Sequence, residues 1–386
     1  MLPLFAFAAM GLCGNRGPPV PAPVAVPSST PLSASWVATD GYPSENFISF
    51  GAREYLNMRN DPGRTDVLTE AIRQRLRGHE GELVVLDIGT GPEALLALIA
   101  ARAGAKKVYA VEVAPKVADA ARQAVEAAHD VEDGVIEIFQ GFSTELELPE
   151  KADLLVAEIV GNVASAEGIY ATMFDAQQRL LREPYNSKSY IPLIVETLAA
   201  PMSYVQHQPA LSPSDFDWDV VRELAPPPKF CTAATAVQAL SEPQALEKLR
   251  FDKPLPSPGT MLETSLTFPM CAERMASSAA ACEALLAETD DHEVPADIIG
   301  DFAAKVGSSM SGIGLWPRLI MDDEDKLKVE TRGSDGSPRK SCWELVFPLL
   351  CSSPESVAPG DNLRVDATIT RRECGRSGDL RPPGMH

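Results

Sequence analysis

The sequence has few basic residues, few aromatic residues and no cysteine pair of the CxxC type. Lys and Arg number 34 against 54 Asp and Glu, which leaves a formal net charge of −20 over 386 residues. A face that binds nucleic acid is normally basic, so this balance argues against nucleic-acid binding and favours a basic partner. An acidic surface that only keeps the protein in solution would explain the same charge.

The cysteines and the apolar residues exclude further classes. Seven irregularly spaced cysteines favour neither a disulfide framework nor a zinc site, so we expect reduced thiols, no bound metal and a cytoplasmic or nuclear location. No run of about 20 apolar residues occurs, and we therefore expect no membrane span. The apolar opening MLPLFAFAAMGLCG and the Pro-rich stretch after it indicate that residues 1–38 are a disordered or targeting tail.

Strand-like and helix-like segments alternate from about residue 60 onward. ELVVLDIG, KKVYAVEV, VIEIFQG and ADLLVAE are typical of buried strands, with helical spacing between them. Such alternation predicts a Rossmann-like α/β domain with a parallel sheet, which we place at residues 39–190. Short strand-like runs then predict a β-barrel-like domain over residues 191–372, interrupted by a helix or loop insertion at CAERMASSAAACEALLAET. A disordered tail is expected at residues 373–386.

A glycine-rich turn, VLDIGTG, follows the first of these strands. Gly89 and Gly91 permit close approach by a ligand at the carboxyl end of a strand, where ligands bind in such sheets. Glu112 ends the next strand and can accept both hydroxyls of a ribose. Ala94 stands where a dinucleotide fingerprint has a glycine, and no GK[ST] follows as in a P-loop. The pattern favours a nucleoside-containing cofactor that is bound without either of these phosphate-binding motifs.

The acidic residue Asp87 lies just before this turn. A carboxylate at that position suits a cofactor without a pyrophosphate, and S-adenosylmethionine is the leading candidate. The alternative is that Asp87 only braces the turn.

Two glutamates, Glu158 and Glu167, lie in the segment AEIVGNVASAE after the last predicted strand of the parallel sheet. Two carboxylates can hold a planar guanidinium from two sides, because its donors form a fixed fork that matches carboxylates. Two solvated loop acids would explain the same residues. The local pattern leaves a clamp for a cationic substrate and a solvated loop both open.

Several segments resemble protein arginine methyltransferases. VLDIGTGPEALLALIAARAGAKKVYAVEV and AEIVGNVASAE resemble the family's cofactor motif and double-glutamate loop, and SFGAREYLNMRNDPGRT resembles the segment that closes over the cofactor. SCWELVFPLLCSSPESVAPGDNLRVDATI is similar to the Thr-His-Trp loop and the barrel strands after it. The resemblance covers about residues 42–372. It implies methyl transfer from S-adenosylmethionine to arginine in a basic protein, and a homodimer formed through an arm around residues 204–221.

The resemblance also implies roles for individual residues. Glu158 and Glu167 would hold the substrate, with Trp343 beside it, although a barrel-core role fits Trp343 nearly as well. The cofactor-binding set that it implies, together with the turn, is Phe47, Arg64, Asp87, Gly89, Gly91, Glu112 and Thr144. Within this set Arg64 would pair with the methionine carboxylate, Glu112 would bind the ribose, and Thr144 would lie near the adenine.

Three residues depart from the family pattern. Glu93 replaces the third glycine of the cofactor motif, where its side chain could crowd the cofactor. Cys342 replaces the histidine that pairs with an aspartate matching Asp61, so we expect no His–Asp dyad. Phe47 replaces a tyrosine. These departures keep two alternatives open: a methyltransferase acting on another amine or small molecule, and a catalytically weak paralogue that binds partners.

Overall fold

The structure of the chain is a computed structural model. The described residues are 42–44, 47–212, 216–224, 227–289 and 295–370. The predicted tails, 1–38 and 373–386, lie outside these residues and stay predictions.

The described chain begins with a short antiparallel pair of strands and two helices. These elements are β1 (Tyr42–Ser44), β2 (Phe47–Ser49), α1 (Ala52–Arg59) and α2 (Pro62–Leu76). Proline is favourable in the first turn of α2 because the amide that it lacks would have no helical partner there. The inner face of α2 buries Leu68, Ile72 and Leu76. These residues are four positions apart, the spacing that is typical of a helix with one apolar face.

Five parallel strands form the predicted Rossmann-like sheet. They are β3 (Val84–Ile88), β4 (Lys107–Glu112), β5 (Ile136–Gln140), β6 (Leu154–Val156) and β7 (Tyr190–Ile191). Their order is β5–β4–β3–β6–β7. Every residue of the central strand β3 is buried, as expected for a parallel strand covered on both faces.

Three helices follow strands of this sheet: α3 (Leu95–Arg102), α4 (Pro115–Glu126) and α5 (Ile169–Arg179). Proline is favourable in the first turn of a helix, so the segment PEALLALIAARAG predicts a helix that begins at Pro92, and this prediction is wrong by three residues. Ala94 adopts a left-handed backbone, with φ 43° and ψ 39°, which is incompatible with a continuous right-handed helix. The glycine turn is therefore longer than the sequence indicates.

The second half of the described chain is built on antiparallel sheets. Its strands are β8 (Ile194–Tyr204), β9 (Lys229–Cys231), β10 (Val237–Ala239), β11 (Gln244–Arg250), β12 (Met261–Pro269), β13 (Ser309–Met310), β14 (Gly312–Ile320), β15 (Lys328–Glu330), β16 (Glu344–Val346), β17 (Glu355–Ser356) and β18 (Asn362–Thr370). The main sheet runs β10–β8–β14–β16–β9, with β11 on β8 and β15 on β14. Strands β12 and β18 pair over nine residues.

Three further helices, α6 (Trp218–Arg222), α7 (Ala272–Thr289) and α8 (Ala296–Gly307), belong to this half. Helix α7 confirms the predicted insertion as helical. It packs with α8 in a small apolar cluster that includes Cys282, Val306 and Val205 at the end of β8. Among the described helices, none has the length and apolar character needed to cross a membrane.

One hydrophobic cluster joins the parallel sheet to the antiparallel half. It contains the buried strand β3 together with Leu193, Phe251 and Leu319, and it reaches Trp343. The carboxyl ends of β3, β4 and β6 point to one edge of the parallel sheet. The glycine turn, Glu112 and the acidic loop consequently meet at this edge, beside the antiparallel half.

Candidate active site

The glycine turn after β3 receives side chains from two other parts of the chain. Gly89 and Gly91 have φ values of +78° and +68°, which favour glycine. A Cβ atom at Gly89 would lie 2.5 Å from Cγ2 of Ile159 in the acidic loop, and one at Gly91 would lie 3.4 Å from Cε1 of Tyr55 in α1. The absence of a side chain at Gly89 thus lets the acidic loop lie directly against the turn, whereas Tyr55 packs at an ordinary contact distance from Gly91.

Asp87 is a buried carboxylate at the end of β3, with 1% of its surface exposed. Its Oδ2 accepts a 2.6 Å hydrogen bond from the Thr90 hydroxyl, while Oδ1 is buried without a hydrogen-bond partner among the described residues. Burial raises the pKa of Asp87 to about 7. One oxygen therefore braces the turn, and the other leaves an acceptor for a ligand.

Glu112 holds the same turn from the end of β4. Its Oε2 accepts the Gly91 amide at 3.1 Å and its Oε1 accepts the Ala114 amide at 3.0 Å. Burial raises the pKa of this carboxyl group, against the effect of the backbone amides of Ala114, Gly91 and Val113. Each carboxylate oxygen can accept more than one hydrogen bond, so both can still receive the hydroxyls of a ribose.

Arg64 of α2 forms a buried ion pair with Glu158. Its Nε lies 2.6 Å from Glu158 Oε2, and Nη2 contacts the same oxygen. Only 8% of the Arg64 side chain and 4% of the Glu158 side chain are exposed. The sequence reasoning did not foresee this partner, and the pairing of Arg64 with a cofactor carboxylate stays a prediction. Burial raises the pKa of Glu158, and the Arg64 guanidinium opposes that change.

Cys342 occupies the place that the resemblance gives to a histidine. Its backbone amide donates a 2.7 Å hydrogen bond to Asp61 Oδ2. Burial raises the pKa of the Cys342 thiol, the Arg64 guanidinium lowers it, and the carboxylates of Glu158 and Asp61 add to the rise. The thiol therefore stays neutral near pH 7 and cannot act as a base there.

The antiparallel half fixes the acidic loop through the segment around Trp343. The buried indole Nε1 of Trp343 donates a 2.7 Å hydrogen bond to the Val160 carbonyl. The next residue, Glu344, donates its amide to Asn162 Oδ1 at 2.6 Å. Trp343 is thus buried as the core alternative expects, and it also positions the backbone between the two glutamates. Its contact with substrate stays a prediction.

A second support of this loop comes from β8. The Thr197 hydroxyl oxygen accepts the Ala164 amide at 3.0 Å and donates to Glu247 Oε2 at 3.4 Å. Thr197 is fully buried. The sequence reasoning missed this residue, because nothing in the local pattern of a buried strand distinguishes a threonine that contacts another domain.

The remaining predicted residues fall around the same turn. Burial, and then the carboxylates of Glu112 and Glu167, raise the pKa of Tyr55. Glu167 is half-buried in the acidic loop, and Thr144 is half-buried in the turn after β5. The side chain of Phe47 lies outside the described part of the chain, and its cofactor contact stays a prediction. Within the described residues no cluster of three potential metal ligands occurs.

Sequence comparisons match the part of the chain that carries this site. A family model for ribosomal protein L11 methyltransferase (PrmA) matches residues 64–173. Protein arginine N-methyltransferase PRMT10 of Arabidopsis thaliana is 38% identical over 126 residues, 33% of this chain and 32% of that protein. A probable histone-arginine methyltransferase 1.4 of the same plant is 37% identical over 125 residues, 32% of this chain and 23% of that protein. The aligned segment spans about a third or less of these relatives.

Comparison with solved structures extends the likeness beyond this segment. The crystal structure of Arabidopsis thaliana protein arginine methyltransferase 10 superposes with a TM-score of 0.57 at 20% identity, over 82% of this chain and 87% of that one. The Trypanosoma brucei PRMT1 enzyme–prozyme complex with AdoHcy gives a TM-score of 0.58 at 17% identity, over 80% and 85%. The fold is that of protein arginine methyltransferases. The resemblance seen in the sequence is thereby confirmed.

Glu93, which replaces the third glycine of the cofactor motif, pairs with a residue of α1. Its Oε1 lies 2.7 Å from Nη1 of Arg59 at the end of α1, so the carboxylate is turned toward α1. The sequence reasoning missed this pair and the approach of Tyr55 to Gly91. The available signal was the spacing of Tyr55 and Arg59, which places both on one face of a helix.

Proposed function

We propose that this protein transfers a methyl group from S-adenosylmethionine to a guanidino nitrogen of arginine in a protein substrate. The observation that carries the proposal is the position of Glu158. This buried carboxylate already binds a guanidinium, that of Arg64, and its neighbour Ile159 packs on the glycine turn. The buried guanidinium of Arg64 and the glycine turn, the predicted nucleoside site, therefore share one edge of the sheet.

The residues around the turn fit the proposed cofactor. Asp87 Oδ1 is a buried acceptor without a partner among the described residues, which suits a cationic ligand. Glu112 lies where the hydroxyls of a ribose would be received. The bound cofactor would supply a methyl group on a sulfonium sulfur, which the substrate nitrogen takes up as it loses a proton.

Glu158 and Glu167 would hold the substrate guanidinium. Glu158 Oε2 accepts from Arg64, whereas the bond that Oε1 accepts within the described part of the chain is a long one, 3.4 Å, from the Val160 amide. Oε1 can thus receive the substrate, while Glu167 would approach the guanidinium from the other end of the loop. The bonds from Trp343 and Thr197 keep the intervening backbone in place, which is the positioning that this reaction needs.

The proton of the methylated nitrogen would pass to Glu158. Cys342 cannot receive it, because its thiol is already protonated. Burial raises the pKa of Glu158 and so makes it a better acceptor than an exposed glutamate.

A labelled-product assay tests this proposal. The protein is incubated with methyl-labelled S-adenosylmethionine and an Arg/Gly-rich protein, and the labelled amino acid is identified after hydrolysis. We expect ω-methylarginine from the wild type and a loss of at least about a hundredfold in Glu158→Gln and Glu167→Gln. Glu183→Gln, an exposed acid elsewhere in the parallel-sheet half, is the control.

The outcomes separate the alternatives. Label on another amine, or full activity in both loop variants, would contradict an arginine clamp. Cofactor binding without transfer, or no cofactor binding, would favour the weak paralogue that binds partners.

We also propose that the protein forms a homodimer through the arm around α6. Phe216, Val220 and Leu224 are 47%, 58% and 49% exposed, so the arm presents apolar side chains that a partner would cover. We expect a dimer by light scattering at micromolar concentration and a monomer for Val220→Asp. A wild-type monomer would contradict the proposal.

A further inference from the structure

Helix α1 meets the glycine turn through two side chains on one face. Tyr55 and Arg59 are four residues apart, which places them one above the other on a helix. Tyr55 Cε1 lies 3.4 Å from the position of a Cβ on Gly91. One turn later, Arg59 Nη1 lies 2.7 Å from Glu93 Oε1. Two side chains of α1, one helical turn apart, therefore contact two residues of the turn, Gly91 and Glu93.

Little else fastens the first two turns of α1. None of its eight residues, all of them described, is buried. Its end is fixed to α2, because the Met58 carbonyl accepts the Thr65 hydroxyl at 3.1 Å. The helix is thus anchored at its carboxyl end and held at the turn by one aromatic contact and one ion pair. A segment with so few buried contacts opens at low free-energy cost.

We propose that Tyr55 forms a wall of the cofactor pocket and that the Arg59–Glu93 ion pair holds it over the glycine turn. The identity of the ligand rests on the proposed function. Tyr55 packs at Gly91, whose amide donates to Glu112, the predicted ribose acceptor. After burial, the carboxylates of Glu112 and of Glu167 in the acidic loop raise the pKa of Tyr55 further. Glu93 then fastens α1 instead of crowding the cofactor.

The ion pair makes the attachment of α1 to the turn depend on the salt concentration. Arg59 and Glu93 are 43% and 41% exposed, so dissolved ions screen their attraction. Weakening the pair releases α1 and opens a path for the cofactor. The dissociation rate of the cofactor should therefore rise with ionic strength, and it should do so less in a variant without the Glu93 charge.

Calorimetric titration of the full chain with S-adenosylhomocysteine tests the proposal. We expect Tyr55→Ala to weaken binding by about tenfold. Arg59→Glu and Glu93→Arg should each weaken it by about fivefold, because each places two like charges together. The double variant Arg59→Glu/Glu93→Arg restores the opposite charges and should recover most of the affinity.

Arg102→Glu is the matched control. Arg102 forms an ion pair of 2.7 Å with Asp130, with side chains 44% and 61% exposed, away from the turn, and its reversal should leave binding unchanged. Thermal unfolding of each variant verifies the fold.

Hydrogen exchange of the α1 amides tests the ion pair without a ligand. These amides should exchange faster in Glu93→Gln than in the wild type. Two results would overturn this proposal alone, provided that the wild type binds S-adenosylhomocysteine. One is that Tyr55→Ala binds it with the wild-type affinity; the other is that the double variant binds it no better than the single charge variants. No binding by the wild type would overturn it together with the proposed function.

Discussion

Replacing Asp87 by asparagine should stabilise the protein, and the gain should grow with pH. The pKa of Asp87 is raised from 3.8 to about 7 in the folded state because the carboxyl group is buried. A raised pKa means that the folded protein holds this proton more tightly than the unfolded chain. The contribution of Asp87 to stability is therefore full below pH 3.8 and is lost as pH rises through about 7.

The magnitude follows from the shift. Each unit corresponds to about 1.4 kcal/mol, so the ionised carboxylate costs about 4 kcal/mol above pH 7. Between pH 5 and pH 8 the cost grows by about 2 to 3 kcal/mol. Asparagine cannot ionise, and its carbonyl can still accept the Thr90 hydroxyl. Its buried amide lowers the gain by about 1 to 2 kcal/mol, but equally at both pH values.

Urea denaturation of the wild type and of Asp87→Asn at pH 5 and pH 8 measures this difference. We expect the free energy of unfolding of the variant, relative to the wild type, to rise by about 2 to 3 kcal/mol over this interval. Asp133→Asn, at an exposed position, is the control for removing one acidic group. A difference that does not change with pH would refute the reasoning. The same variant should bind the cofactor about tenfold more weakly if Oδ1 faces a cationic ligand.

Three further predictions concern other contacts. Trp343→Phe keeps an aromatic ring but loses the hydrogen bond from the indole N–H to the Val160 carbonyl. We expect kcat to fall about tenfold with cofactor affinity unchanged, and a kcat equal to that of the wild type would contradict the positioning role. Burial lowers the pKa of His207, so stability should fall as pH drops below about 6.5. His207→Phe should flatten that dependence in urea denaturation, whereas exposed His79→Gln should not. Arg332 donates to three buried carbonyls, and Arg332→Met should lower the free energy of unfolding by about 3 kcal/mol; a change under about 0.5 kcal/mol would contradict this.

Much of the fold could be predicted because local periodicity determines it. The strands β3 to β6 are short apolar runs between helical segments, and their parallel order follows from that alternation. The start of α3 could not be predicted, since Ala94 takes a left-handed backbone that its type does not favour. That conformation depends on the packing around the turn, which the local sequence does not encode.

The site could be predicted only as a set of residues, without their partners. Glycines and carboxylates after strands mark the edge of the sheet where ligands bind. The pairing of Arg64 with Glu158 spans 94 positions, and that of Trp343 with Val160 spans 183. Such pairs depend on how the two halves of the chain pack, and one sequence without relatives carries no record of that packing.

The most direct test of the central claim is the choice of acceptor. An Arg/Gly-rich peptide and its twin with every arginine replaced by lysine would be incubated with the wild-type protein and S-adenosylmethionine. Mass spectrometry with fragmentation would then locate any added methyl group. The account predicts methylation on the arginine side chains of the first peptide and none on its twin. Methylation of the lysine twin, or of neither peptide by a protein that binds the cofactor, would contradict it.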